Sequence, residues 1–220
     1  MNNVEWSIKS EDIDLSQFTP GQYITVNISN EKLPYEAKRH YSIVDGNQDF
    51  LTFGVRKDFT KEHEGEVSTI LHEEVKVGDM LELSAPVGGF GLENKDKKQL
   101  FLGSGVGVTP LISMYREAVG ANLPATFVQV TSDSNNIAFE DTLKSISASS
   151  EQGVFHAHLR DEDGYIEKVD LEAYLDDETE IYICGGNSFL NSMMLNLQAL
   201  EIPEERIHFE AFVPRLSFSA

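Results

Sequence analysis

The chain has 220 residues, room for one large domain or two small ones at roughly 100–150 residues each. Hydrophobic residues make up 40% and charged residues 25%, an ordinary globular balance that excludes a disordered, collagen-like or membrane-spanning chain. Thirty-seven acidic against 17 basic residues give a net charge of −20, which repels nucleic-acid backbones and anionic membrane surfaces, so neither is an expected partner.

The longest apolar stretch, Leu100 to Met114, is interrupted by Gly103, Gly105, Gly107 and Pro110 and falls short of the ~18 apolar residues of a membrane span. The opening Met1-Asn2-Asn3-Val4-Glu5 carries neither the basic region nor the hydrophobic core of a signal peptide, so the expected compartment is the cytoplasm. Cys184 is the single cysteine, which excludes an internal disulfide, a cysteine-only zinc site and a protein-bound iron–sulfur cluster. Any redox chemistry must then come from an organic cofactor.

The first hundred residues read as short strands between turn signals. Tyr23–Ile28 alternates apolar and polar residues after Gly21. Arg39–Val44 runs into Asp45-Gly46-Asn47, a hairpin turn sequence, and Phe50–Val55 follows at once. A brief helix is predicted from about Val67 to Glu73, then the turn Val77-Gly78-Asp79 and the strand Met80–Leu83. This pattern predicts an antiparallel β-barrel or sandwich.

After the polar segment 93–98 the rhythm becomes strand, helix, strand. Apolar strands are predicted at Gln99–Leu102, Ala125–Val130, Val154–Leu159, Ile181–Cys184 and Ile207–Phe212. Leu111, Met114, Tyr115 and Ala118 share one helical face, as do Leu190, Met193, Met194, Leu197 and Leu200. Alternating strands and helices predict a parallel five-stranded sheet covered on both faces. The expected division is therefore residues 1–98, an antiparallel β-barrel domain, and residues 99–220, an α/β domain.

Ser104-Gly105-Val106-Gly107-Val108-Thr109-Pro110 sits between a strand and a helix, with Thr109 placed to cap the helix and Pro110 suited to its first turn. Glycines let backbone N–H groups approach a ligand, and a helix N-terminus favours a pyrophosphate. The third glycine comes one residue too early for the G-x-G-x-x-G fingerprint, so on this segment alone a tight turn without a ligand is the alternative. A second turn repeats the logic: Tyr182-Ile183-Cys184 runs into Gly185-Gly186, with Asn187 or Ser188 as cap of the next helix. Both turns lie at the carboxyl ends of parallel strands, where ligands bind in open α/β sheets.

Taken in order, Phe18-Thr19-Pro20-Gly21-Gln22-Tyr23, Arg39-His40-Tyr41-Ser42, Gly65-Glu66-Val67-Ser68 with Leu71-His72, Val77-Gly78-Asp79, Gly105–Pro110, Tyr182–Gly185 and His208–Pro214 closely resemble the reductase portion of flavohaemoglobins, within the ferredoxin–NADP reductase superfamily. The resemblance spans nearly the whole chain. It implies an FAD-binding barrel, a nicotinamide-binding α/β domain, and an FAD-dependent NAD(P)H oxidoreductase that hands electrons to a separate acceptor: a haem protein, a ferric complex, a flavin or a quinone. The alternative function is a non-catalytic regulatory or binding module that kept the fold and lost stable FAD.

Several roles follow by resemblance. Arg39 pairs with the FAD pyrophosphate, Tyr41 packs on the isoalloxazine and Ser42 lies near its reactive nitrogen, while strand alternation puts Arg39 and Tyr41 on one face and Ser42 on the other. Tyr23 and His40 belong to the same flavin set, and Gly65, Val67 and Ser68 bring a helix N-terminus to the pyrophosphate. Ser104, Gly105, Val106, Gly107, Val108, Thr109, Pro110, Cys184, Gly185 and Gly186 form the dinucleotide turns. Phe212 matches an aromatic residue near the flavin, followed by Val213, and alternation sets Glu210 beside Phe212. Ser42, Cys184, Glu210 and Phe212 are the expected catalytic set, although Cys184 reads equally as a small core residue.

The pattern departs from the family in three places. Gly186 stands for proline and Val213 for glycine. Val4–Lys9 aligns with the family's second strand, so the usual first barrel strand is expected to be absent.

The loop Thr131-Ser132-Asp133-Ser134-Asn135-Asn136 has no Arg or Lys for a 2′-phosphate, and Asp133 suits a ribose hydroxyl, so NADH is the expected donor with NADPH accepted less well. His156 and His158 share a strand face without a third ligand, so no metal site is expected. Asp161-Glu162-Asp163-Gly164 lacks calcium-loop spacing and reads as a solvated hairpin turn.

Overall fold

The computed structural model describes residues 3–9, 15, 17–29, 36–57 and 66–212, and every statement of absence below refers to these. The first half forms one antiparallel sheet of β1 (Asn3–Ile8), β2 (Tyr23–Ile28), β3 (Ala37–Gly46), β4 (Leu51–Arg56) and β5 (Glu82–Leu83), in the order β1-β4-β3-β2-β5. The alternation in β2 buries Ile24, Val26 and Ile28 on one face. Helix α1 (Glu66–Glu73) adds Val67, Ile70 and Leu71 to the same core. Strands β1 and β5 each have one hydrogen-bonded neighbour and form the two edges.

The β3–β4 hairpin turns later than the sequence pattern predicts. Strand β3 continues through Gly46 after a bulge between Ile43 and Asp45. The turn begins at Asn47, the last residue of the Asp45-Gly46-Asn47 motif, whose Oδ1 accepts from Asp49 N at 2.8 Å and Phe50 N at 3.2 Å. An Asn side chain that bonds the backbone two residues on outcompetes the Asp-Gly pair here.

The second half is a parallel sheet, β10-β9-β6-β7-β8, built from β6 (Gln99–Ser104), β7 (Ala125–Thr131), β8 (Gly153–Leu159), β9 (Glu180–Gly185) and β10 (Ile207–Ala211). Phe101, Phe127 and Tyr182 face α2 (Val108–Gly120) and α3 (Glu140–Ala148) on one side. Leu100, Leu102, Val128, Ile181 and Ile183 face α5 (Lys168–Glu172) and α6 (Asn187–Ala199) on the other. Leu111, Ile112, Met114 and Tyr115 of α2 are wholly buried, each worth about 1.5–3 kcal/mol over exposure. The acidic segment after β8 is a helical turn, α4 (Arg160–Asp163), closed by Gly164 at φ +82°, and not a hairpin turn. Its neighbours in the sheet are parallel, so the chain must cross over at this point instead of folding straight back.

Helix α2 is a wall common to both halves. Val44 of β3 packs into its cluster, Gly21 N donates to Ser113 Oγ at 2.9 Å, and Arg116 pairs with Asp45 at 3.1 Å. No described helix is long and apolar enough to cross a membrane.

Candidate functional site

Strand β6 ends at Ser104, and Gly105 turns the chain at φ +59° into a single 3-10 turn before α2 begins at Val108. The winding therefore starts earlier than the sequence suggests. Thr109 lies inside the first turn and donates Oγ1 to Val106 O at 2.8 Å, and Gly107 holds the cap position with no side-chain cap bond. Helix α6 behaves alike: Gly186 is its cap residue, again without a side-chain bond, and Asn187 and Ser188 are already helical. Neither helix start has a side chain closing its first-turn N–H groups, which suits an anionic ligand.

The two turns touch. A β-carbon on Gly107 would stand 2.3 Å from Cys184 O and 2.5 Å from Gly185 N, so glycine at 107 is what allows the β9 turn to lie against the β6 turn. Cys184 itself is fully buried, and burial, followed by the neighbouring Glu210 carboxylate, pushes its thiol pKa up, so it stays protonated. Glu210 sits level with Cys184 in the β9–β10 register, and partial burial raises its carboxyl pKa as well. Phe212 packs on the cluster that holds both Val44 and Cys184, at the junction of the two halves.

Beside the β6 turn opens a cavity of about 570 Å³, lined by Arg56, Lys57, Ser104, Gly105, Ser132 and Arg160 among others. Three cations around one cavity stand out in a chain of net charge −20. Lys57 is paired with Glu73. The Arg56 guanidinium lies over Gly105, 3.2 Å from where a β-carbon would be. Arg160 faces the Tyr165 ring at 5.8 Å and reaches Asp161 only at 4.0 Å. Sequence reasoning missed all three, because they come from β4 and from the end of β8, outside both glycine turns. The position of Arg160 just past a parallel strand's carboxyl end was the usable signal.

Asp133 is occupied within its own loop. Its carboxylate accepts from Ser132 Oγ at 2.9 Å, Asn136 Nδ2 at 2.7 Å and Asn135 N at 2.8 Å, bonds that hold its pKa down. Asp133 is therefore a fixed anion beside the cavity wall formed by Ser132 and Asn136.

In the barrel half, the register pairs Tyr23 with Ser42 and Thr25 with His40, which puts these four residues on one face. Thr25 Oγ1 and His40 Nδ1 are 3.0 Å apart, and the Tyr23 and His40 rings are 4.9 Å apart. Ser42 is buried on this face, next to Val44 at the α2 wall. Arg39 and Tyr41 take the opposite face. Tyr41 packs on Phe53, and burial, opposed in part by Arg39, pushes its pKa up to about 12. Arg39 is exposed, donates to Lys38 O at 2.9 Å and has no carboxylate partner among the described residues. Val67 and Ser68 are buried in the first turn of α1, whereas Gly65 and Val213 lie outside the described residues. His158 Nε2 lies 3.1 Å from Gly164 O, and exposed His156 neighbours the Tyr174 ring.

No protein-family model matches the chain. It is 31% identical over 223 residues to a flavohemoprotein of Bacillus thuringiensis subsp. konkukian, covering 92% of this chain and 55% of that protein. Against a flavohemoprotein of Bacillus subtilis it is 30% identical over 233 residues, covering 96% and 56%. The chain thus spans about half the length of the curated relatives it matches. Among solved structures, the flavohem-like FAD/NAD-binding domain of nitric oxide dioxygenase from Vibrio cholerae superposes with a TM-score of 0.86 at 25% identity, covering 97% of this chain and 94% of that one. With the strand orders and the paired glycine turns, these similarities identify the chain as a counterpart of the reductase portion of flavohaemoglobins, with the same two-sheet fold.

Proposed function

We propose that the chain is an FAD-dependent NAD(P)H oxidoreductase, with residues 1–98 binding FAD and residues 99–220 the nicotinamide dinucleotide. The observation that carries this reading is the contact of Gly107 with Cys184–Gly185, which merges two open helix starts into one crevice beside a cationic cavity. The residues present fit both groups. Arg39 is an exposed cation without a carboxylate partner among the described residues, available to a pyrophosphate, and the cavity's Arg56 and Arg160 suit a second phosphate-bearing ligand.

FAD, when bound, supplies the hydride-accepting and electron-dividing chemistry. The chain's own residues bind, orient and shield. Arg39, Val67, Ser68, Tyr23, His40, Tyr41 and Ser42 hold the flavin side, and Arg56 with the turns Ser104–Pro110 and Cys184–Gly186 holds the dinucleotide. The thiol of Cys184, kept protonated by burial and by the Glu210 carboxylate, would add no charge to the nicotinamide side. Phe212, packed where the two halves meet, would screen that junction from water.

NADH is the preferred donor in this reading, because Asp133 repels a 2′-phosphate while Arg160 offsets part of that repulsion. The acceptor is a separate haem protein, ferric complex, flavin or quinone. The net charge of −20 favours one that is neutral or cationic.

The absorbance spectrum of the purified chain tests the proposal. Flavin bands that bleach on anaerobic addition of NADH are expected. A colourless protein that resists FAD reconstitution would overturn it in favour of a non-catalytic module, a reading that draws on the two open edges, β1 and β5, of the barrel sheet.

A further inference from the structure

Phe139 adopts a conformation its side chain disfavours. It holds φ +54° and ψ 34° at the start of α3, the left-handed region that bulky residues rarely enter. The neighbouring bonds enforce it. Gln129, fully buried in β7, accepts from Ala138 N at 2.7 Å and donates to Ala138 O at 3.0 Å in the amide orientation that satisfies both groups. One residue later, Phe139 O accepts from Leu143 N at 2.9 Å. Strain kept at such a point calls for a reason in what the side chain reaches.

What it reaches is the other half of the molecule. The Phe139 ring sits in the hollow over Gly54 of β4, where a β-carbon would stand 2.6 Å from its Cζ and 3.0 Å from its Cε2. Gly54 and Arg56 are two residues apart on one strand, so they point to the same face. Arg56 is the cation that leans over Gly105 at the cavity, and Ala138, next to Phe139, lines the same cavity. The ring, with the Thr109 methyl 3.1 Å from the same point, lies between a barrel strand and the loop 131–138 that carries Ser132 and Asn136.

We propose that Phe139 is a positioning residue for dinucleotide binding: seated over Gly54, its ring fixes the separation between Arg56 and the nucleotide-domain wall of the cavity. The inference rests on the dinucleotide-binding reading above. Its consequence is that the ring and the missing side chain at position 54 are complementary, so either can be broken and one combination restores the fit.

Calorimetric titration of the FAD-loaded chain with NAD⁺, which binds without reacting, tests this alongside the flavin absorbance and the rate of flavin reduction at saturating NADH. Phe139→Ala is expected to weaken NAD⁺ binding about tenfold, with the flavin spectrum intact and the saturated rate nearly unchanged, the scale of effect that small misplacements of a binding group produce. Gly54→Ala is expected to do the same, chiefly by pushing the ring out, because the new methyl meets Cζ at 2.6 Å and the Thr109 methyl only at 3.1 Å. The double variant Gly54→Ala/Phe139→Leu, which removes the clashing Cζ and Cε2 atoms, is expected to recover affinity to within about threefold of the unsubstituted chain. If Gly54→Ala does not fold, Phe139→Ala decides alone. NAD⁺ affinity within twofold of the parent in Phe139→Ala, or losses that merely add in the double variant, would overturn the role of Phe139. Failure of the unsubstituted, FAD-loaded chain to bind NAD⁺ would instead overturn the dinucleotide reading itself, and this inference with it.

Discussion

The two sheets build their halves of the site from different material. In the parallel sheet, the elements proposed to face a ligand are backbone: glycine turns at strand ends, uncapped helix starts, and one contact, Gly107 on Cys184–Gly185, that exists because a side chain is missing. In the antiparallel sheet they are side chains spread over both faces, with Tyr23, His40 and Ser42 on one and Arg39 and Tyr41 on the other. The parallel sheet lies between helices on both faces, whereas the barrel sheet ends in two edges with single neighbours. A site made of backbone is rigid and intolerant of added atoms. A site made of side chains can lose members one at a time, and the experiments below separate the two.

The largest effect is expected on the backbone side. Gly107→Ala forces a methyl within 2.3 Å of Cys184 O, and backbone cannot yield as a flexible side chain would. Overpacking of this kind costs about 1–3 kcal/mol and occasionally more, so a clear fall in melting temperature is expected together with loss of dinucleotide binding. Gly120→Ala, at the other end of the same helix, meets nothing within 4 Å and is expected to melt like the parent. Equal melting and equal NAD⁺ affinity in Gly107→Ala would show that the two turns are not packed as described.

The side-chain half is expected to fail more gently. Arg39→Ala is expected to leave the fold alone because the side chain is exposed, and to remove the charged hydrogen bond proposed to reach the flavin pyrophosphate. Losing such a bond costs about 1.5–3 kcal/mol, or a roughly ten- to hundredfold drop in FAD affinity. Fluorescence titration of the apoprotein with FAD measures it, and unchanged affinity would remove Arg39 from the site.

The same contrast decides what could be read from the sequence. Turns and strands leave local marks: Tyr23–Ile28 alternates, and the glycine segments 103–107 and 185–186 punctuate apolar strands, so fold class and both turns were legible. Helix starts were misplaced by one or two residues, since Gly107 and Gly186 hold the cap positions ahead of Thr109, Asn187 and Ser188. The cations of the cavity were illegible for another reason. Arg56 and Arg160 are about a hundred residues apart, and only the packing of β4 against the β6 turn brings them to one space. Gly54 is the sharpest case, because an unremarkable glycine in a strand acquires its meaning from Phe139, 85 positions away.

Donor choice is expected to move less, because its determinants are half in water. NADH should exceed NADPH in kcat/KM at fixed ionic strength. Arg160, 46% exposed at its side chain, offsets part of the repulsion from Asp133, so Arg160→Ala is expected to lower NADPH efficiency a few-fold while leaving NADH nearly unchanged. Asp133→Asn is expected to narrow the gap from the other side. Equal or higher efficiency with NADPH in the unsubstituted chain would overturn the assignment.

The smallest effect concerns the pH dependence of stability at Glu210. Partial burial raises its carboxyl pKa, so the folded chain prefers the neutral form more than the unfolded chain does. A group shifted in this direction contributes its full stability below the unfolded pKa, about 4.3 for Glu, and loses it as pH rises through the folded value. Once ionised, Glu210 is therefore a net cost, softened by the solvent that still reaches it. Glu210→Gln, neutral at every pH, is expected to melt about a degree or two higher than the parent at pH 7–8, with the gap closing toward pH 4. Cys184 gives an internal check, since the Glu210 carboxylate is the second cause of its raised thiol pKa after burial, and Glu210→Gln should make the thiol slightly easier to ionise. A melting difference that stays constant with pH, or grows toward acid, would mean that Glu210 is held by a hydrogen bond to its charged form and that burial is not the dominant influence on it.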